Sequence, residues 1–167
     1  MQGNKLSQQR KWKAYLDTSV INFLFTDDTP DKKSITQEFF KVSAKQREFE
    51  LFISDVVLFE INNTPDPQKR AKLLSIQQMY PIQMVSIDHM EIQVLAQTYI
   101  NEGIIPKRKV EDAQHIAIPT YHRMDFLISW NLRHIANPKK SRKITEINKK
   151  MKYKHTIRLC TPGEVIL

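Results

Sequence analysis

Four residues far apart in the chain, Asp17, Glu60, Asp112 and Asn131, are of types that do metal chemistry when a fold gathers them. Three are carboxylates and one is an amide. Asp17 ends the apolar run Ala14-Tyr15-Leu16 and is followed at once by Thr18-Ser19-Val20-Ile21. That order predicts a short buried strand that delivers an acid to its carboxyl end and turns straight into a helix. In open parallel α/β sheets, ligands bind outside the carboxyl ends of the strands. The competing role is plain: Asp and Thr are common helix caps. On this stretch alone the cap is the better account.

The elements around these residues alternate. Strands are expected at about Lys13 to Asp17, Glu50 to Ser54, Ile82 to Ile87, Asp125 to Ser129 and Thr156 to Cys160. Helices are expected after Asp17 through Phe25, from Ser34 to Arg47, after Asp55, and after Asp66-Pro67, an N-cap followed by proline at the first helical position. Asp88-His89-Met90-Glu91 matches a capping box for a helix running to Glu102 and stopped by Gly103. Further helices are expected from about Val110 to His122 and from about Ser141 to Met151, with a last helical turn from Thr161-Pro162-Gly163-Glu164. Such alternation calls for a largely parallel sheet covered on both faces. Residues 1–12 read as a flexible basic leader and 13–167 as a single domain. The acidic loop Thr26 to Asp31 lacks the glycine and the terminal Glu of an EF-hand loop and reads as a solvated turn.

In that arrangement the four residues meet. Glu60 lies on the helix leaving the second strand. Asp112 sits in the first turn of the helix feeding the fourth strand, which runs antiparallel to the sheet and so begins at its carboxyl edge. Asn131 lies just past the fourth strand. Carboxylates gathered there repel: two unit charges 4 Å apart cost about 4 kcal/mol at an effective dielectric of 20. A hard divalent cation relieves this, and Mg²⁺ takes one or two carboxylates and keeps several waters. A metal so held can activate water against a phosphodiester. Each acid has an ordinary role by itself: Asp17 as a cap, Glu60 on a solvated face, Asp112 as a favourable charge at a helix N-terminus. The expected convergence favours the metal.

Bulk properties fit a polyanion-binding protein. The chain has 167 residues, 41% hydrophobic and 26% charged, a globular composition. Its net charge is +8. Between Lys139 and Arg158 stand nine basic residues against Glu146 alone, so this one segment carries the whole excess. Lys139, Lys140, Arg142, Lys143, Lys149 and Lys150 are candidates for binding nucleic acid; a solvated helix face is the competing account. No run approaches the roughly 20 apolar residues of a membrane span. The basic leader has no signal-peptide core, and Cys160 is the single cysteine, which makes a cytoplasmic location the expectation.

These motifs resemble those of a known family. Tyr15-Leu16-Asp17-Thr18-Ser19-Val20 resembles the opening motif of PIN domains, the fold of VapC-type toxins of toxin–antitoxin systems. The run from Ser54-Asp55 to Glu60-Ile61 is similar to their second motif, Asp112-Ala113-Gln114-His115-Ile116-Ala117 to the third, and Asp125 through His134 to the fourth. Thr161-Pro162-Gly163-Glu164-Val165 is similar to a common family ending. The resemblance runs from about residue 13 to the C-terminus. It implies a three-layer α/β/α fold with a five-stranded parallel sheet in the order 3-2-1-4-5, and a Mg²⁺- or Mn²⁺-dependent ribonuclease. Asp17, Glu60 and Asp112 would then be the acidic triad, with Asp17 and Asp112 holding metal directly or through water and Glu60 positioning water or completing the shell. Where the family often has a fourth acid this chain has Asn131, which can bind a metal or its water but adds no charge. RNA as substrate, an antitoxin protein as partner and a homodimer are further implications.

Other residues invite roles. His115 shares a helical face with Asp112, yet packing against the sheet is the expected role. His134 and Trp130 are expected to be structural, while Trp12 and Trp130 are also of a type that stacks on bases. Thr18 and Ser19 are expected to cap the helix that Asp17 leaves free. Three functions therefore compete: a metal-dependent endoribonuclease, an RNA-binding module that does not cut, and a phosphatase or receiver domain of the doubly wound class. The third ranks last, because the phosphatase motif wants a second Asp where Ser19 stands.

Overall fold

The computed structural model describes residues 10–46 and 48–166, and the reading of a leader falls largely outside them. The chain folds as an α/β protein around five parallel strands. In order, the elements are β1 (Trp12–Leu16), α1 (Thr18–Phe25), α2 (Pro30–Gln46), β2 (Phe49–Ser54), α3 (Asp55–Asn62), α4 (Pro67–Leu74), α5 (Ile76–Met79) and β3 (Ile82–Val85). Then come α6 (Met90–Asn101), α7 (Val110–Tyr121), β4 (Phe126–Ile128), α8 (Pro138–Lys150), β5 (Arg158–Cys160) and α9 (Pro162–Ile166). The sheet order is 3-2-1-4-5, with helices flanking it.

β1 is central because its sequence can be buried on both faces. Ala14, Tyr15 and Leu16 are wholly inaccessible, as expected of a strand in a covered parallel sheet. It pairs with β2 through Ala14–Leu51 and Tyr15–Phe52, and with β4 through Ala14–Phe126 and Leu16–Ile128. That register aligns the carboxyl ends of β1, β2 and β4, so the chain leaves all three on one edge. The crossovers return on α-helices, as parallel pairing requires. α7 crosses back from that edge to the opposite one, carrying buried Ala113, Ile116, Ala117 and Ile118 against the sheet side of the core.

Several boundaries differ from expectation, each for a local reason. α2 begins at Pro30, not Ser34, because proline at a helix start is pre-set for helical φ. α8 begins at Pro138, not Ser141: Asn137 accepts from the Lys139 and Lys140 amides and Pro138 follows it. The capping box at Asp88 does not form. His89 takes the N-cap position of α6 with no side-chain hydrogen bond, while the Asp88 amide donates to Ser86 Oγ. The Asp66 cap is present, accepting from Gln68 and Lys69. β4 and β5 are shorter than expected, and Asp125 and Ser129 flank β4 instead of lying in it. Among the described residues, no helix is long and apolar enough to cross a membrane.

Candidate functional site

Every strand hands the chain to a polar residue at its carboxyl end: Asp17 after β1, Ser54 ending β2, Ser86 after β3, Ser129 after β4 and Thr161 after β5. Around β1 this edge becomes a hydrogen-bonded cluster. Asp17 is 3% exposed. Its Oδ1 accepts from the Ser19 amide (3.1 Å), the Ser19 hydroxyl and, more distantly, the Val20 amide (3.4 Å). Its Oδ2 accepts from the Ser129 hydroxyl. Asp17 is thus the N-cap of α1 after all, and neither Thr18 nor Ser19 replaces it. Two backbone amides are where a helix start most needs an acceptor.

Thr18 does something else. Its hydroxyl donates to Glu60 Oε1 at 2.7 Å. The same oxygen is held by His115 Nε2 at 2.5 Å. His115 is not a mere packing residue. Buried to 2% exposure, it reaches Glu60 with one ring nitrogen and the Tyr15 hydroxyl with the other, at 3.0 Å. Tyr15 in turn lies 2.7 Å from Ser54 Oγ. A continuous chain therefore runs from Ser54 through Tyr15 and His115 to Glu60 and Thr18. The i+3 spacing of His115 from Asp112 was the one sequence signal for it, since both fall on the inner face of α7. Tyr15 and Ser54 gave only an apolar strand and its last residue.

The electrostatics follow from this wiring. Burial pushes the Asp17 carboxyl up from its ordinary value, only partly offset by the His115 charge and by the Ser129 and Ser19 hydrogen bonds. Partial burial pushes Glu60 the same way, but the His115 hydrogen bond and charge and the Thr18 hydroxyl outweigh it and hold Glu60 low. For His115, burial disfavours the imidazolium, yet the bond to Glu60 and the charges of Asp17, Glu60 and Asp112 together raise its pKa. All three predicted acids therefore act on one buried histidine. When it is charged, both ring nitrogens donate, to Glu60 and to Tyr15, and Tyr15 donates on to Ser54. Burial keeps the Tyr15 phenol protonated.

Asp112 is half-buried in the first turn of α7. Its Oδ2 is buried and accepts no hydrogen bond among the described residues. A buried carboxylate oxygen without a partner costs about 1–3 kcal/mol or more, and helix-start polarity offsets only part of that. Asn131 sits on the same edge. Its backbone N–H donates to Ser129 Oγ, which links it to Asp17, while its side-chain carbonyl accepts from the His134 amide at 3.0 Å. That carbonyl caps a turn.

Oxygen donors of this kind suit a hard cation such as Mg²⁺ or Mn²⁺, and the orphaned Asp112 oxygen fits one. Asp17 Oδ2 accepts a single hydrogen bond and keeps a lone pair. Against a preformed site, no three His, Cys, Asp or Glu side chains stand together as a ligand set among the described residues.

Cations rim the acids. Lys109 acts on Glu60, and Lys140 and His134 both feel Asp112. Lys140 Nζ lies 3.2 Å from His134 Nδ1. From there α8 presents Lys139, Arg142, Lys143, Lys149 and Lys150 to solvent while burying Ile144 and Ile147, an amphipathic helix with a basic outer face. Trp130 is anchored within the protein, its indole donating to Thr36 Oγ1 at 2.9 Å and its ring against Phe23. Trp12 lies at the other end of β1, edge-on to Phe126. No protein-family model matches the chain, and no curated protein matches it.

Proposed function

We propose that this chain is a metal-dependent endoribonuclease of the PIN type, the toxin of a toxin–antitoxin pair, acting on RNA in the cytoplasm. The observation that carries the reading is the unpartnered buried oxygen of Asp112 on the edge that also holds Asp17 and Glu60. Asp17 and Asp112 would hold Mg²⁺ or Mn²⁺, with Glu60 beside them. When bound, the metal supplies a lowered pKa for a bound water and charge neutralisation at a phosphodiester. The residues of the chain do the rest. Ser19 and Ser129 fix the orientation of Asp17. His115 and Thr18 hold Glu60 in one rotamer and keep it ionised. The basic face of α8 and the rim cations Lys109 and Lys140 attract the RNA backbone and keep its phosphates near the acids.

The direct test is RNA cleavage by the purified protein with Mg²⁺, Mn²⁺ or chelator, beside Asp17→Asn and Asp112→Asn. Cleavage only with metal, lost in both variants, supports the reading. Growth arrest on expression, relieved by Asp17→Asn or by a cognate antitoxin, supports the toxin role. An antitoxin and a homodimer belong to the same proposal, to be tested by co-purification and by solution mass.

A second reading has its own support. The carbonyl of Asn131 is engaged in a turn, and the acids do not form a ready ligand set among the described residues. An RNA-binding module that does not cut would look like this. Protein that binds RNA with a steep salt dependence yet leaves it intact with either metal would put this reading first.

A further inference from the structure

We propose that a cavity at the amino edge of the sheet, opposite the acids, binds a nucleotide, taking its phosphate on a cluster of cations and its base against tyrosine. The cavity encloses about 820 Å³, within the usual size of small-ligand sites. Arg123, Lys152, Lys154 and His155 line it, with Tyr121 and Tyr153. Among the described residues, no acidic side chain lines it. Glu91 is a neighbour of Tyr153, and Asp125, engaged by Arg10 and the Lys13 amide, lies 3.5 Å from His155 Nε2. Among the described residues, Arg123, Lys152 and Lys154 enter no ion pair. Three like charges gathered in one concavity with no ion-pair partner among the described residues are what an anion site provides in advance.

The backbone supplies an independent observation. Arg123 (φ 53°) and Lys152 (φ 68°) are the two non-glycine residues with positive φ among the described residues. Each directly follows a helix cap, His122 after α7 and Met151 after α8. That position ordinarily goes to glycine, which has no Cβ to strain there. α6 follows the rule with Gly103 at φ 70°. The two helices that end at the cavity break it, and both put a long cation there. Cations near a helix C-terminus are favourable on electrostatic grounds. That accounts for a charge near each end, but not for two charges in the one backbone conformation that disfavours them. A phosphate answers both: guanidinium and ammonium groups donate to its oxygens, and tyrosine rings take any base by stacking.

The cavity is separate from the acidic edge. Asp112 and Tyr121 lie at opposite ends of α7, about 14 Å apart at 1.5 Å per residue. No residue is shared, so the proposal stands whether or not the acids cut RNA. A free nucleotide and one within a strand share this chemistry, and the probes distinguish the two.

The experiment is calorimetric titration of the full chain with AMP, adenosine, inorganic phosphate and a short oligoadenylate. AMP, oligoadenylate or both should bind, with adenosine and phosphate each at least tenfold weaker. AMP binding identifies a free nucleotide, and oligoadenylate binding without AMP identifies a nucleotide within a strand. The double variant Arg123→Gly, Lys152→Gly should weaken that binding at least tenfold with an undiminished Tm, because glycine suits both positions. Lys154→Gln, which leaves both of those positions unchanged, should weaken it severalfold. The proposal fails if neither probe binds, if phosphate binds as tightly as AMP, or if the double variant binds like the wild type.

Discussion

Asp17 and Asp125 are buried aspartates on opposite edges of one sheet, and their surroundings differ in kind. Asp125 precedes β4 at the amino edge. It accepts from Arg10 Nη2 at 2.6 Å and from the Lys13 amide at 2.9 Å, with His155 Nε2 at 3.5 Å. Its charge is met by a guanidinium, and its second oxygen ties β4 to β1. Asp17 follows β1 at the carboxyl edge. It accepts only from hydroxyls and amides, and the other acids on its edge, Glu60 and Asp112, share the influence of His115. One aspartate is neutralised and stitches strands together. The other is desolvated, carries a raised pKa and shares one buried histidine with two more acids. A fold can keep a carboxylate of the second kind only by spending stability, and such groups concentrate at functional sites.

The contrast predicts opposite mutational outcomes. The largest effect should come from Asp17→Asn and Asp112→Asn. Losing several kcal/mol of charge stabilisation is on the order of a hundredfold or more in cleavage rate. Stability should hold in Asp17→Asn, since Asn caps a helix about as well as Asp. Single-turnover cleavage and urea unfolding of the same preparations would decide it; a variant that unfolds easily yet still cuts reverses the assignment.

Asp125→Ala should do the reverse. It strips the Lys13 amide and Arg10 of their acceptor, at a cost of about 1–3 kcal/mol, with cleavage per folded molecule unchanged. Arg10→Ala should cost no more than about 1 kcal/mol, because its side chain is 70% exposed. An Asp125→Ala protein of unchanged unfolding midpoint would erase the distinction between the two edges.

The His115–Glu60 pair predicts a pH dependence in chelator. The raised His115 pKa adds stability that is complete below the unfolded histidine value, about 6.5, and lost as pH rises through the folded value. The lowered Glu60 pKa adds stability present above its unfolded value, about 4.3, and lost as pH falls through the folded one. The pair therefore contributes most between those two unfolded values. His115→Gln should flatten the decline on the alkaline side. The check is the unfolding midpoint against pH for both proteins; parallel curves would mean the pair is not ionised.

The smallest effect concerns α8. Replacing Lys139, Lys143, Lys149 and Lys150 with Gln should leave stability near wild type. The salt slope of RNA binding should fall by about 0.7 for each phosphate of a single strand that is no longer neutralised. An unchanged slope would move the RNA path away from this helix.

Much of this was legible in the chain. Strand–helix alternation and apolar runs at Ala14–Leu16, Phe52–Ile53 and Leu127–Ile128 carry the parallel sheet, because a strand buried on both faces must be apolar throughout. Asp17 after such a run is a local fact, readable without neighbours. So is the basic outer face of α8, whose charges follow helical periodicity. Helix starts were less legible: Pro30 and Asn137-Pro138 set them by local chemistry, while the capping box at Asp88 yielded to the path of the chain.

What the tertiary structure decided are the partnerships. Ser129 and Asp17 lie 112 positions apart and meet only because β1 pairs with β4. His115 was legible as a neighbour of Asp112, but its role depends on Tyr15 and Glu60, which come from a strand and a helix far away in the chain. Asp17 and Asp125 are the same residue beside the same kind of strand. One follows its strand and the other precedes it, so in a parallel sheet they fall on opposite edges, and what the fold sets at each edge makes Asp125 a structural tie and Asp17 a candidate ligand.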